Sequence, residues 1–323
     1  MDRRSFFLSA GGGLVSTLGL PALAQTFPQG PVKVVVAWPA GGIVDVMSRA
    51  MAEKLAAKWS HPVIVENKQG AYGLIGTEQV IQSKPDGQTW LIGTLGTPMS
   101  ASLYKRKWVA ADELAGVAMI GSLALIAVVP SALPVTTLKD FVAMARSQPG
   151  KLNYLNPSIG SASHLNVELI KLREQLDVAG VLYNGQPPGM ADLLTGRLQF
   201  GLLAPHVVVP HIKSGKLRPL AVAFPNRLRD FPELPTLDEA GYPEADAVVV
   251  YTVLVPKQTP KDLIARLSAD IQQSLTDPDL RRRIEDAGIT VAGPTSPEQV
   301  DAFMRSETQR WDRFFRNARI SID

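Results

Sequence analysis

The feature that most constrains the fold is a regular alternation of two periodicities. Short runs rich in β-branched or aromatic residues, "VKVVVA" (32–37), "PVIVEN" (62–67) and "TWLIGT" (89–94), are separated by segments with helical spacing. The first run is almost continuously apolar, as a strand buried on both faces of a parallel sheet tends to be. After it, "VMSRAMAEKLAAKW" (46–59) places Met47, Met51, Leu55 and Trp59 four apart on one helical face, with Arg49, Glu53 and Lys54 turned elsewhere. "GLIGTEQVIQSK" (73–84) reads as a second helix, stopped by the turn Pro85-Asp86-Gly87. Strands alternating with helices predict a doubly wound α/β lobe.

Two longer apolar stretches interrupt this rhythm. "GVAMIGSLALIAVVP" (116–130) is short for a membrane span, holds two glycines and a serine, and ends at proline. It reads as a pair of strands, or one long strand, passing between lobes. "AVVVYTVLVP" (247–256) mirrors it. Between them the βα units resume. Helices are expected at 137–147, 163–176 and 187–195, with a fourth broken at Pro210. Strands are expected at "LNYL", "AGVLY", "LQFGLL" and "LRPLAVAF". Beyond 256 come a helix at 260–275, a short one from Pro278, and a last from Pro297 to Asn317. The expected division is 25–125 plus 250–323 as lobe 1 and 126–249 as lobe 2. Two crossings make a hinge and leave a cleft.

The length of 323 residues suffices for two domains. Formal net charge is +3, and removing the first 24 residues (Asp2, Arg3, Arg4) leaves 31 basic and 29 acidic residues, or +2. Such a balance argues against nucleic-acid binding, which needs a clustered basic footprint. No cysteine is present, which excludes disulfides and a lipid anchor on an N-terminal Cys. The N-terminus itself is a processing signal. Arg3-Arg4-Ser5-Phe6-Phe7 precedes a weakly apolar, Gly-rich run ending in Ala22-Leu23-Ala24. The paired arginines resemble a twin-arginine export signal, with cleavage expected after Ala24. The mature chain is expected to be a soluble periplasmic protein.

In an open α/β sheet, ligands sit outside the carboxyl ends of the strands. Four loops there can be read: "WPAGGIVD" (38–45), "GTLGTP" (93–98), "NPSIGSASH" (156–164) and "YNGQPPG" (183–189). All but "GTLGTP" clearly run into a helix start, where free N–H groups and the positive end of the helix dipole favour an anion. Gly41-Gly42 either brings backbone close to such an anion or only makes a tight turn. Asp45 either caps the helix by its charge or reaches a cationic ligand group.

Other chemistries lack their signatures. The dinucleotide fingerprint Gly-x-Gly-x-x-Gly and the P-loop Gly-Lys-Ser/Thr are both absent. Ser161, Ser163 and His164 are adjacent in sequence, but a Gly-x-Ser-x-Gly elbow is missing, and a Ser-capped helix start with a structural histidine explains them better. No His/Asp/Glu cluster has metal-ligand spacing. A secreted α/β hydrolase is thus the weaker alternative, and no cofactor or metal is expected.

At these loops the chain resembles the periplasmic receptors of tripartite tricarboxylate transporters, the Bug-type solute-binding proteins. The resemblance runs from about Pro31 to the C-terminus. It rests on "VVVAWPAGGIVDVMSRAMAEKL", "PVIVENKQGAYGLIGTEQV", "KPDGQTWLIGT", "PGKLNYLNPSIGSASHLNVELI", "YNGQPPGMADLLTGRLQ", "PHIKSGKLRPLAV" and "FPELPTLDEAGYP", with "TPKDLIARLSADIQQSL" and "DPDLRRRIEDAGI" near the end, in that order. It implies a two-lobed type II periplasmic-binding-protein fold, a monomer, and closure around a small organic acid held by backbone amides and bridging waters. Partners so implied are membrane permease subunits or, alternatively, a sensor kinase. The first ligand loop matches Trp38, Ala40, Gly41, Gly42 and Asp45, and the second matches Thr94 and Thr97. Ser158, Gly160, Ser161, Ser163 and His164 lie in the third, and Tyr183 and Gly185 in the fourth. This chain departs from the family at Trp38 (usually Phe or Tyr), Val44 (Thr), Pro157 and Ile159 (small or polar), and Asn184 (Lys). Leu203-Ala204 replaces a frequent Asp-Asn pair that can face the cleft. The loss of that pair, together with Trp38, implies a more apolar guest, for example an aromatic or aliphatic monocarboxylate.

Overall fold

In the computed structural model, residues 27–245 and 247–318 are described; the export signal expected over 1–24 lies outside them. The first half opens with β1 (Val32–Val36), α1 (Ile43–Trp59), β2 (Val63–Asn67), α2 (Leu74–Ile81) and β3 (Thr89–Gly93). It continues through α3 (Gly96–Leu103), α4 (Ala110–Glu113) and β4 (Leu114–Leu123). A second set follows: β5 (Leu125–Pro130), α5 (Leu138–Ser147), β6 (Leu152–Asn156), α6 (Ala162–Glu174), β7 (Val178–Leu182), α7 (Met190–Leu194), β8 (Phe200–Leu203), α8 (Pro205–Lys213) and β9 (Leu217–Ala223). The chain closes with β10 (Val249–Pro256), α9 (Lys261–Leu275), α10 (Pro278–Asp286), β11 (Ile289–Val291) and α11 (Pro297–Ala318).

These strands form two sheets, ordered β11-β4-β10-β3-β1-β2 and β7-β6-β8-β5-β9. Within each, the βα units pair in parallel: β1 with β2 and β3 in the first, β6 with β7 and β8 in the second. The crossing strands β4, β5 and β10 pair antiparallel to their neighbours. The stretch 116–130 is therefore a pair of strands in different sheets, joined by the single buried residue Ala124. The chain returns from β9 to the first sheet at Val249. Two sheets flanked by helices and joined in this way make the two-lobed α/β fold.

Burial explains why these elements form. Met47, Met51 and Leu55 are fully buried and Trp59 nearly so, while Arg49 and Glu53 are exposed, which is the face the four-residue spacing predicts. The largest apolar cluster runs from Val32 and Trp90 in the first sheet through Leu123 and Leu125 to Phe200 in the second. Three elements differ from expectation. A helix, α3, follows β3 although Gly96, Thr97 and Pro98 open it, because its Met99 and Leu103 are buried in the core. The short strand β11 pairs with β4 and extends the sheet beyond the expected strands. Finally, α8 continues through Pro210 instead of breaking there. Among the described residues no helix is long and apolar enough to cross a membrane.

Candidate functional site

The carboxyl ends of the parallel strands in both sheets face one interlobe space. Its inner part is a cavity of about 330 Å³. Three helix N-termini open onto it: α1 through Gly42, Ile43 and Val44, α3 through Thr94 and Leu95, and α6 through Ser161, Ala162 and Ser163. The first N–H groups of a helix have no carbonyl one turn back, so these ends supply hydrogen-bond donors and a partial positive charge. The hinge strands supply the floor, through Leu123, Leu125, Val249 and Tyr251. An outer groove of about 920 Å³ shares Trp38, Tyr72, Ser158 and Gly185 with the cavity and extends past Tyr104, Tyr183 and Asn184. Among the described residues, no Asp, Glu, Lys, Arg or His lines either space.

The first loop is held by hydrogen bonds that explain its residues. Gly41 takes the left-handed conformation (φ +79°) that favours glycine. Asp45, in the first turn of α1, accepts the Gly41 N–H at 2.9 Å, the Arg49 Nε–H at 3.0 Å and the Asn67 Nδ2–H at 2.9 Å. The Arg49 guanidinium, opposing a smaller effect of burial, holds the Asp45 carboxyl below its ordinary range. Asn67 also donates to the Trp38 carbonyl at 3.1 Å. The Trp38 indole donates to Thr94 Oγ1 at 3.1 Å, and Thr97 Oγ1 accepts the Thr94 N–H at 3.1 Å. The rings of Trp38 and Tyr72 meet edge to face, with centroids 5.3 Å apart.

The third loop is organised in the same way. Ser161 caps α6, its Oγ accepting the His164 N–H at 3.2 Å. His164 Nδ1 accepts the Gly160 N–H at 3.1 Å, and its Nε2 lies 4.0 Å from Glu168. Burial lowers the His164 pKa, outweighing the upward pull of Glu168, so the ring stays neutral and can accept that hydrogen bond. Gly185 donates its N–H to the Pro157 carbonyl at 3.0 Å, which joins the third and fourth loops.

Of the residues singled out from sequence, Trp38, Gly42, Thr94, Ser158, Ser161, Ser163 and Gly185 line the inner cavity, and Tyr183 lines the outer groove. The others stand behind that lining. Ala40 and Gly41 are exposed on the outside of the loop, and Asp45, Thr97, Gly160 and His164 spend their polar groups on bracing it. Leu203, the last residue of β8, and Ala204, which caps α8, have their side chains buried in the core clusters and line neither space. The apolar character expected from that pair comes instead from Ile43, Val44, Leu95, Leu123, Leu125 and Val249. Sequence reasoning missed Tyr72, Gln186 and Tyr251. The loop after β2 also lies at a strand's carboxyl end and would have led to Tyr72, and the two crossing stretches would have led to Tyr251.

Comparison with known proteins places this geometry. A family model described as "Tripartite tricarboxylate transporter family receptor" matches residues 47–320. Protein BugT of Bordetella pertussis is 33% identical over 309 residues, covering 93% of each chain. The solved structure of the periplasmic binding protein BugD is 29% identical with a TM-score of 0.75, covering 91% of this chain and 99% of that one. R. palustris Rpa4515, solved with adipate, is 28% identical with a TM-score of 0.76, covering 92% and 99%. These relatives are binding proteins with the periplasmic-binding-protein fold. This chain therefore belongs to the tripartite tricarboxylate transporter family of receptors, and is a solute-binding protein and not an enzyme.

Proposed function

We propose that this receptor works in the periplasm, captures a small, largely apolar carboxylate between its lobes, and delivers it to membrane permease subunits. On this reading residues 25–125 with 250–323 form one lobe and 126–249 the other, and the export signal is cleaved after Ala24. The observation that carries it is the convergence of three helix N-termini on a largely apolar cavity that, among the described residues, no ionised side chain lines. A buried carboxylate without hydrogen bonds would be costly. Helix ends contribute about 0.3–1 kcal/mol each when exposed and up to ~2 when partly buried. Three to five charge-assisted hydrogen bonds add roughly 1.5–3 kcal/mol each. A micromolar constant needs about −8 kcal/mol, which this sum covers after ordering costs. A cationic guest would find donors where it needs acceptors. The carboxylate seen in the R. palustris relative supports the class of guest, and the apolar walls support one with few charges.

The test is a thermal-shift screen of the mature protein against organic acids, begun with whatever mass spectrometry finds co-purified, and followed by calorimetry. Monocarboxylates with aromatic or aliphatic bodies are expected to bind tightest. Tight binding confined to short, polar di- and tricarboxylates would refute the apolar guest, and binding of amines alone would refute the carboxylate. Delivery to a permease predicts permease genes beside this one, where a sensor-kinase neighbour would favour signalling.

A further inference from the structure

Many of the polar hydrogens of the aromatic side chains are spent inside the protein. Every indole N–H, from Trp38, Trp59, Trp90, Trp108 and Trp311, donates to a protein oxygen. The Tyr154 phenol donates to Glu168 at 2.9 Å and the Tyr183 phenol to Asp192 at 2.6 Å. Of the remaining tyrosines, Tyr104 borders the outer groove, and Tyr72 and Tyr251 are the two in the inner cavity. Both line the inner cavity, and neither hydroxyl has a hydrogen-bond partner among the described residues. Tyr251 is only 3% exposed. Neither oxygen is sealed inside the core: Thr259 Oγ1 is the one fully enclosed side-chain polar atom without a partner among the described residues. Both residues line the cavity, and neither phenol oxygen is fully enclosed.

The chain goes to some length to place them. Tyr72 holds a left-handed backbone (φ +51°, ψ +40°), a conformation costly for a bulky residue and usually kept only where surroundings enforce it. Glycine at Gly96 leaves room for its ring, since a Cβ there would lie 2.9 Å from it. Tyr251 sits at a β-bulge, where the pairing of β10 with β4 shifts between Tyr251 and Thr252. Such bulges re-aim a side chain. In the lining of the same cavity, Gln186 accepts the Ala204 N–H through Oε1 at 2.9 Å, which fixes its side-chain amide with Nε2 as the remaining donor. Burial pushes both phenol pKa values up, so the groups remain O–H donors.

Resting on the reading of this cavity as a carboxylate site, we propose that Tyr72, Tyr251 and Gln186 form a second polar subsite that selects acids bearing an uncharged oxygen, a hydroxyl or carbonyl, away from the carboxylate. A second carboxylate would bring a further charge among apolar walls with no cation to meet it. A hydroxyl or carbonyl needs only the donors already there. A site built to hydrogen-bond such a group also discriminates strongly against the analogue lacking it, because its own polar groups are then left unpaired.

Calorimetry on two trios of acids tests this: 4-hydroxybenzoate, benzoate and terephthalate, then 6-hydroxyhexanoate, hexanoate and adipate. In at least one trio the hydroxy acid is expected to bind at least about tenfold tighter than both companions. Tyr251→Phe and Tyr72→Phe, which keep the ring, should each abolish that preference by weakening the hydroxy acid more than its unsubstituted parent. Hydroxy acids no tighter than their parents, or dicarboxylates tightest, overturn the subsite in the unmodified protein alone, whatever the variants do. Phenylalanine variants that weaken all acids equally overturn it as well, since the phenols would then hold the carboxylate itself. If no acid in either trio binds, the carboxylate reading falls and the subsite with it; if acids bind without the preference, only the subsite falls.

Discussion

At the scale of single residues, Gly42 and His164 show how differently two members of the same loops can act. Gly42 caps α1 with an extended backbone (φ −77°, ψ 170°) that any residue can adopt, and a Cβ there would meet only the Pro39 carbonyl at 3.4 Å. Gly42→Val should therefore melt within a few degrees of the parent, yet lose ligand binding by calorimetry, because the new side chain stands where the carboxylate approaches. Unchanged affinity would remove the first loop from the site. His164 acts on stability. Its folded pKa lies below the ordinary 6.5, so its contribution is complete above about pH 6.5 and is lost as pH falls through the folded value. Protonation also removes the lone pair that accepts the Gly160 N–H. The melting temperature of the parent should drop more steeply than that of His164→Asn between pH 6.5 and 5, and parallel curves would refute the role. Residue types at loop ends were legible from sequence: Trp38, Gly42, Ser161 and Gly185 all reach the cavity. Which neighbours face inward was not. Asp45 and His164 have the chemistry of ligand contacts, but hydrogen bonds four residues apart turn them back onto Gly41 and Gly160.

At the scale of elements, α1 shows what a helix needs at each end. Its N-terminal loop depends on Asp45, whose carboxylate joins Gly41, Arg49 and Asn67. Asp45→Ala should cost about 2 kcal/mol in chemical denaturation, the scale of a hydrogen bond to a charged group, and should weaken ligand binding as the loop loosens. A denaturation midpoint and affinity both unchanged would show that the tie is dispensable. Its C-terminus ends on Ser60 in the left-handed conformation (φ 54°). Ser60→Gly should raise stability by roughly 0.5–1 kcal/mol, since relief of backbone strain exceeds the added entropy of the unfolded chain. Elements with clear periodicity, such as α1, were readable at once. The helix α3 was hidden because Gly96, Thr97 and Pro98 are poor helix formers, and only the burial of Met99 and Leu103 forces the conformation. The strand β11 is three residues long, too short for any pattern to show.

At the scale of the whole molecule, the two apolar stretches carried the plan of the chain, because a run buried on every side reads the same in sequence as in space. The cavity they floor was harder to foresee, since it depends on two sheets meeting rather than on any one segment. Ligand at about 100 times its dissociation constant should stabilise the protein by about 2.7 kcal/mol. Small-angle scattering should show a smaller radius of gyration with ligand than without, as the lobes close about the crossings. An unchanged radius at saturation would mean that capture needs no closure. Leu123, Leu125, Val249 and Tyr251 belong both to the crossing strands and to the cavity floor. A guest bound there would press on the strands that join the two halves. A bulkier guest would act as a wedge in a door, and the angle between the halves would report the size of the guest as well as its presence.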